Sequence, residues 1–322
     1  MEIGCGKPFN ADFTVELPRE KILPCNGCAP PAVPPSGVRD TLSLGCLEEQ
    51  IFFGEPPASV SRWKREMMTV TSFGFSEIGK SHAQNEDRYF RDDRQGLFLI
   101  ADGMGGHVSG ETASQLAIDC VSDFVIRSRS GKAEWPALAG EDLTPEQRRL
   151  LAAVTLANQR ILRLSRPSLV ARRIGTTLVG ALIEGDHLAL VNVGDSRAYR
   201  IRSGQLDQIT TDHSIVGQQQ RSGLLSREQA RAHPQRNLLT SALGIGKSPQ
   251  VEVGRFDVLP GDLFVLCSDG LHAALDDEAI LAVIQSVPDR ALYKIGLSLV
   301  LKASLAGGRD DTTVVLLAFS QS

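Results

Sequence analysis

The sequence predicts an α+β fold, a four-layer α-β-β-α sandwich in which two antiparallel sheets are flanked by helix pairs. Two observations lead to this prediction. Strand-like segments in the central part are separated by short turns such as Glu184-Gly185-Asp186 and Gly194-Asp195, which favour hairpins over parallel crossovers. Helix-like segments fall mostly into pairs, at about 108–165 and 277–305, and each pair needs a sheet against which to bury its apolar face.

The first half of the predicted fold begins with strand composition at Val70–Ile78 and at Leu97–Ala101. Residues 108–126 carry apolar side chains at mostly three- and four-residue spacing, which predicts an amphipathic helix. Residues 127–143 are polar and predict a loop. A second helix is predicted from Thr144, where Pro145 and Glu146 give a start signal, to about Ser165.

The second half predicts a dense β region, then a polar segment, then strands and helices. The predicted strands are Thr176–Ile183, His187–Val193, Ala198–Ile201, a short one after the turn Arg202–Gln205, Gln250–Val258, Leu263–Cys267 and Thr312–Phe319. Residues 214–249 are mixed and polar, with a short helix predicted at Ser226–Ala232. Two further helices are predicted at about 277–286 and 289–305.

Composition narrows the class of protein. The chain has 322 residues, 42% of them hydrophobic, and a formal net charge of −4, which does not predict the basic surface of a nucleic-acid-binding protein. No apolar run reaches the ~18–20 residues that cross a bilayer, and the N-terminal residues lack the pattern of a secretory signal. We therefore expect a cytoplasmic protein without membrane or nucleic-acid partners.

Residues 1–68 differ in composition from the rest of the chain. They are rich in proline and show no sustained helical or strand periodicity, which predicts a largely disordered extension ahead of a catalytic domain at 69–322. The pair Met67-Met68 leaves open that translation starts there instead. Cys25-Asn-Gly-Cys28 has the spacing of a zinc knuckle or redox pair, but no second such pair follows, so incidental thiols are the favoured interpretation.

Acidic residues cluster at strand ends or in short turns. Asp102 and Asp269 each follow an apolar run and precede a glycine, a pattern that holds the carboxylate rigidly and lets backbone approach a ligand. Each motif alone is typical of an ordinary turn. Carboxylates that converge on one point repel one another unless a cation lies between them, and oxygen ligands without a cysteine and histidine set favour Mg²⁺ or Mn²⁺.

Several motifs in one order resemble the metal-dependent protein phosphatase 2C-like family in its bacterial form. The resemblance covers about 70–319, and its motifs are NED at 85–87, ADGMGGH at 101–107, GTT at 175–177, VGDSRAYR at 193–200, TTDHS at 210–214, HPQRNLLTSALG at 233–244, CSDGL at 267–271 and RDDTTVV at 309–315. The resemblance implies the sandwich fold already predicted, and a flap at about 214–249 beside the active site.

The resemblance also implies a site for two Mn²⁺ or Mg²⁺ ions, with a possible third. It makes Asp102 the carboxylate that bridges two metals. The other implied ligands are the Gly103 carbonyl, Asp269 and Asp310, Glu86 and Asp87 through water, and Asp195 for the third ion. His107 is the candidate proton donor. The family usually has a phosphate-binding arginine four residues before Glu86, where this chain has His82, which offers fewer donors.

The function that the resemblance implies is hydrolysis of phosphoserine and phosphothreonine in proteins by attack of a metal-activated water. Its substrates are expected to be phosphorylated proteins in signal transduction, among them a bacterial serine/threonine kinase or its targets. Two alternatives stay open from the residues alone. One is a non-catalytic regulatory module, which the retained Asp102, Asp269 and Asp310 argue against and which His82 in place of arginine leaves open. The other is a hydrolase of small phosphate esters.

Overall fold

A computed structural model describes residues 68–105, 108–136, 142–164 and 174–321, all of which belong to one compact unit that spans Arg62–Ser322. The expected extension, up to residue 67, and its Cys25–Cys28 pair lie outside the described residues. None of the helices in the described ranges combines the length and the apolar character that a bilayer crossing requires.

Eleven strands are described, and they form two antiparallel sheets, as predicted. The first sheet has the order β1-β11-β10-β7-β8 and the second the order β2-β3-β5-β6-β9, with β4 paired to β3. The strands are β1 (Met68–Glu77), β2 (Asp87–Asp92), β3 (Leu97–Met104), β4 (Gly175–Thr176), β5 (Leu178–Glu184), β6 (His187–Val193), β7 (Arg197–Arg202), β8 (Gln205–Gln208), β9 (Glu252–Asp257), β10 (Leu263–Cys267) and β11 (Thr312–Gln321).

Helices cover the outer face of each sheet. Those of the described residues are α1 (Val108–Arg129), α2 (Pro145–Leu164), α3 (Ile215–Arg221), α4 (Arg227–Ala232), α5 (Asp269–Ala274), α6 (Asp277–Gln285) and α7 (Leu292–Leu305). The pair α1 and α2 buries its apolar residues with those of β3, β5 and β6, while α5, α6 and α7 do so with β7, β10 and β11. The four-layer α-β-β-α arrangement is therefore confirmed.

Strand β3 shows why the central strands are apolar throughout. Leu97, Leu99 and Ala101 lie in the core beneath α1 and α2, whereas Phe98 and Ile100 lie in the core between the two sheets. Because successive side chains of a strand point to opposite faces, a strand buried on both faces needs apolar residues at every position. Strand β10 repeats this arrangement. Asp102 directly follows the buried run Leu97–Ala101 within β3, and Asp269 lies two residues after the end of β10, so each carboxylate comes just after a buried run.

Some element boundaries differ from the predictions. Helix α1 continues to Arg129, three residues into the predicted loop, and the strand predicted at Thr176–Ile183 is interrupted at Thr177. Three elements were not predicted, namely β2, α3 and α5. Strand β2 is a short edge strand whose side chains alternate between exposed and partly buried, so its apolar signal is weak. Helices α3 and α5 have seven and six residues, too few for a helical periodicity to stand out.

Candidate metal and phosphate site

A cleft of about 1120 Å³ opens where strand ends of both sheets meet. One of its walls carries acidic residues from five separate stretches of the chain, and the other is formed by residues 237–242 and Ile245. The predicted metal ligands that line it are Glu86, Asp102, Gly103, Asp195, Asp269 and Asp310. His82 also lines it, whereas Asp87 is not among the lining residues, and His107 lies outside the described residues.

Asp102 is fixed through its backbone at the end of β3. Its N–H donates to Thr177 Oγ1 over 3.1 Å, and its carbonyl oxygen accepts from Thr177 N–H and Thr176 Oγ1, both over 2.8 Å. Thr177 Oγ1 is in turn 2.7 Å from Ser196 Oγ, beside Asp195. The interruption between β4 and β5 therefore supplies the threonines that hold Asp102 in place, a role the sequence analysis did not assign.

The glycines that follow Asp102 and Asp269 are required by close backbone contacts. A Cβ at Gly103 would lie 2.2 Å from Gly110 O, and one at Gly270 would lie 2.1 Å from Asp311 O. Neither position accommodates a side chain unless the backbone shifts. The Asp-Gly pattern thus reflects close packing of the site's own segments as well as space for a ligand.

Asp87 lies behind the cleft, opposite Asp102 in the register of β2 and β3. Its Oδ2 accepts from Ser268 Oγ over 2.7 Å and from Thr313 Oγ1 over 2.6 Å. Its Oδ1 is buried and has no hydrogen-bond partner. Burial raises the pKa of Asp87 to about 7. The hydrogen bonds from Thr313 and Ser268 lower this pKa, whereas the nearby Asp269 carboxylate raises it further.

Asp269 begins α5 and also has a buried Oδ1 without a partner. Burial of the carboxyl group, together with repulsion from Asp310, raises its pKa to about 6, while a hydrogen bond with Asp102 opposes the rise. Burial and the neighbouring carboxylates raise the pKa of Asp102 and of Asp195 well above the usual range. These side chains therefore lie close enough to repel one another, and the charge of Arg197, which lowers the pKa of Asp195 and Asp269, does not cancel the rise.

Divalent cations fit this set of residues. Two buried carboxylate oxygens have no protein partner, and buried acceptors are normally satisfied, so each has room for one further ligand. The donors are all oxygens, and a hard cation such as Mg²⁺ or Mn²⁺ prefers them. One nitrogen donor, His82, belongs to a possible ligand group with Asp310 and Asp311, in which one ligand atom of each residue lies within 4.8 Å of the others.

His82 is held by Asp311, a residue that the sequence analysis left without a role. His82 Nδ1 lies 3.0 Å from Asp311 Oδ2, and Nε2 lies 3.6 Å from Asp310 Oδ1. Asp311 also accepts from Gly79 N–H and Glu86 N–H, both over 2.7 Å, so it fixes the whole segment that carries His82 and Glu86. Burial works against the charged imidazole, but the hydrogen bond and charge of Asp311 outweigh it and raise the pKa of His82.

The two described cysteines take no part in the site. Cys120 and Cys267 are buried, unpaired thiols, and burial raises the pKa of Cys267 to about 12. A thiol is nucleophilic only as its thiolate, which this environment disfavours. Neither thiol is therefore suited to act as a nucleophile.

Comparison with known proteins adds independent information. The family described as Protein phosphatase 2C matches residues 78–295. The serine/threonine phosphatase stp of Listeria welshimeri is 32% identical over 245 residues, which cover 75% of this chain and 93% of that protein. The serine/threonine protein phosphatase PstP of Mycobacterium tuberculosis is 36% identical over 241 residues, which cover 75% of this chain and 43% of that protein.

Solved structures of similar proteins share the fold. A crystal structure of the phosphatase PstP/Ppp of Mycobacterium tuberculosis superimposes with a TM-score of 0.67 at 34% identity, covering 78% of this chain and 99% of that one. The catalytic domain of PstP in complex with two manganese ions superimposes with a TM-score of 0.65 at 32% identity, covering 79% of this chain and all of that one.

Proposed function

The chain belongs to the protein phosphatase 2C family and is a metal-dependent protein-serine/threonine phosphatase, and we propose that its catalytic site is the acidic cleft described above. The observation that carries this proposal is the pair of buried, unpartnered oxygens, Asp87 Oδ1 and Asp269 Oδ1, among carboxylates that raise one another's pKa. Such an arrangement is unfavourable for a structural role alone and favourable for holding cations.

Asp102 and Asp269 would hold the cations together with Asp310 and the carbonyl of Gly103. Glu86 and Asp87 would hold them through water, and Asp195 would serve a third ion. When bound, the cations supply an activated water and neutralise charge on the phosphoryl oxygens. The chain's own contribution is to fix the carboxylates through the backbone of β3 and the start of α5, so that little reorganisation is needed during reaction.

His82 contributes a hydrogen-bond donor to the substrate phosphate in this proposal. Asp311 accepts from Nδ1, which leaves the Nε2 edge of the ring beside Asp310 at the cleft. A single oriented donor binds phosphate less completely than the five N–H groups of an arginine. We assign His82 to phosphate binding, and His107 to proton donation on the family resemblance alone.

The substrates are phosphoproteins. We propose in addition that they are cytoplasmic targets of a bacterial serine/threonine kinase, or the kinase itself. The relatives are bacterial serine/threonine phosphatases, and the buried free thiols Cys120 and Cys267 suit a reducing compartment.

Hydrolysis of p-nitrophenyl phosphate and of a phosphothreonine peptide tests the proposal. We expect turnover of both with Mn²⁺ and none with EDTA. Asp102→Asn should lower kcat by about a thousandfold, since cations in such sites supply several kcal/mol of charge stabilisation. His82→Ala should raise KM for the peptide while the protein stays folded. A wild-type protein that binds Mn²⁺ but hydrolyses neither substrate would contradict the proposal.

A further inference from the structure

The wall of the cleft opposite the carboxylates presents exposed apolar side chains beside the polar residues Asn237, Thr240 and Ser241. It belongs to the segment 214–249, and its apolar members are Leu238, Leu239, Ala242 and Ile245. The side chains of Leu238 and Ile245 are 49% and 40% exposed, although the cleft gives them a concave surface rather than open solvent. Exposed apolar side chains within a binding cleft usually contact the ligand.

This wall is held in place by backbone hydrogen bonds. Ile215 N–H donates to Leu238 O over 2.9 Å, and Thr240 N–H donates to His213 O over 2.7 Å. Leu239 pairs with Ser214 in an isolated β-bridge. Ile245 packs over Gly175, where a Cβ would lie 3.0 Å from Ile245 Cδ1. The apolar side chains therefore have fixed positions relative to the metal site, as a specificity-determining surface requires.

The charges of the cleft exclude one class of substrate residue. Five of the lining side chains in the described ranges are carboxylates, and none is lysine or arginine. The bound cations are expected to balance the charge around the phosphoryl group, but a carboxylate of the substrate placed beside this wall would meet no positive partner there. An apolar side chain at the same place would be removed from water against Leu238 and Ile245.

We propose that Leu238 and Ile245 form a subsite for an apolar side chain that flanks the phosphorylated serine or threonine, and that the site discriminates against acidic flanks. This inference rests on the proposed function, because it assumes that the phosphoryl group lies at the carboxylates. It defines the preferred substrate as a phosphopeptide with leucine-like rather than acidic neighbours.

Three phosphothreonine peptides test the subsite. They are identical except for the residues on both sides of phosphothreonine, which are leucine, alanine or aspartate. The full chain with Mn²⁺ should show a kcat/KM about tenfold higher for the leucine peptide than for the alanine peptide, the size of discrimination that an apolar pocket gives. The aspartate peptide should be the poorest substrate.

Leu238→Ser and Ile245→Ser should each reduce the leucine-to-alanine ratio of kcat/KM towards one, and measurable turnover of p-nitrophenyl phosphate would show that the metal site is intact. The matched control is Leu224→Ser, since Leu224 is 72% exposed in the same segment but does not line the cleft. Its ratio should stay at about ten.

The outcomes separate the two proposals. If the wild-type protein hydrolyses all three peptides within twofold of one another, or if Leu238→Ser and Ile245→Ser keep the wild-type ratio, the subsite is wrong and the phosphatase activity stands. If Mn²⁺ supports hydrolysis of none of the peptides and none of p-nitrophenyl phosphate, the function itself is wrong.

Discussion

The buried aspartate Asp212 lies near the buried aspartates of the cleft, but its environment is the opposite of theirs. Beneath the segment 214–249, Asp212 is fully paired. Arg197 Nη2 donates to its Oδ2 over 2.7 Å, and Arg197 Nε and Gln208 Nε2 donate to its Oδ1 over 3.0 and 2.9 Å. In the cleft, Asp269 keeps a buried oxygen without a partner. Burial acts on both, but the Arg197 charge lowers the pKa of Asp212, whereas repulsion from Asp310 adds to the effect of burial and raises the pKa of Asp269 to about 6.

The difference distinguishes carboxylates that stabilise the fold from carboxylates kept for a ligand. Around Asp212 the chain supplies its own positive charge and donors, so the pair is complete without any ligand. Around Asp269 the chain supplies other carboxylates, which the charge of Arg197 offsets only in part, so a bound cation would supply the remaining positive charge. The cleft is therefore expected to lower the stability of the metal-free protein, and removing groups from the two places should have opposite effects.

The largest expected change in the free energy of unfolding comes from removing the partner of Asp212. Arg197→Met should lower the free energy of unfolding by about 3–5 kcal/mol, because it leaves Asp212 buried without its partner. Urea unfolding in EDTA measures this. Arg200→Met is the matched control, since Arg200 lies on the same strand and pairs with the half-exposed Asp207, and such surface pairs contribute less than about 1 kcal/mol. Equal losses in the two variants would contradict the interpretation.

Asp269→Asn should change the free energy of unfolding in the opposite direction. In EDTA we expect the free energy of unfolding to rise, on the order of 1–3 kcal/mol, because the substitution removes a buried charge whose pKa is raised to about 6. In Mn²⁺ the wild-type protein should gain stability and the variant should gain much less. A variant that is strongly destabilised in EDTA would mean that Asp269 has a structural role like that of Asp212.

The overall architecture could be predicted from the sequence because it depends on local patterns. Apolar runs such as Leu263–Cys267 and the periodic stripes of the helices determine which segments are buried, and both survive in the fold. Short turns between strands favour antiparallel pairing, which the two sheets show. The elements that were missed, such as α3 and β2, are short and depend on a cap or an edge pairing rather than on periodicity.

The candidate site was predictable only where an acidic residue follows an apolar strand or belongs to a family motif. The residues that were missed act through contacts between distant segments. Asp311 binds backbone N–H groups of Gly79 and Glu86, and Thr177 fixes the backbone of Asp102. No local pattern distinguishes Asp311 from its neighbour Asp310, since their difference lies in which segments pack against each of them.

A further test compares proton and cation binding in the cleft. Asp87, with a pKa of about 7, and Asp269, with a pKa of about 6, carry protons in the metal-free protein below those values. Mn²⁺ must displace these protons, so the affinity of the site for Mn²⁺ should fall as the pH falls. We expect a decrease of about tenfold from pH 7 to pH 6. Calorimetric titrations with Mn²⁺ at pH 7.5, 6.5 and 5.5 measure this, and Asp87→Asn should make the dependence shallower. An affinity independent of pH over this range would contradict the assignment of these carboxylates to the cations.

The smallest expected effect concerns His213, which joins the fully paired region to the cleft. Nδ1 of its buried ring accepts from Gly194 N–H over 3.2 Å, and the backbone N–H of His213 donates to Gly194 O over 2.8 Å. Burial lowers the pKa of His213, and Arg221 adds to this, while Glu252 and Asp212 oppose it. The folded protein therefore binds fewer protons here than the unfolded chain, so the contribution to stability is complete above pH 6.5 and is lost as the pH falls below it.

The free energy of unfolding should therefore fall as the pH falls from 6.5 to 5.5, by less than the ~1.4 kcal/mol that one proton per pH unit allows. His213→Asn keeps an acceptor for Gly194 N–H but does not titrate there. The difference in free energy of unfolding between wild type and variant, measured with urea in saturating Mn²⁺, isolates the histidine because the cations hold the cleft carboxylates deprotonated. A difference that is constant with pH would mean that the Gly194 contact does not require the neutral ring, and that the turn before Asp195 is held by its backbone bond alone.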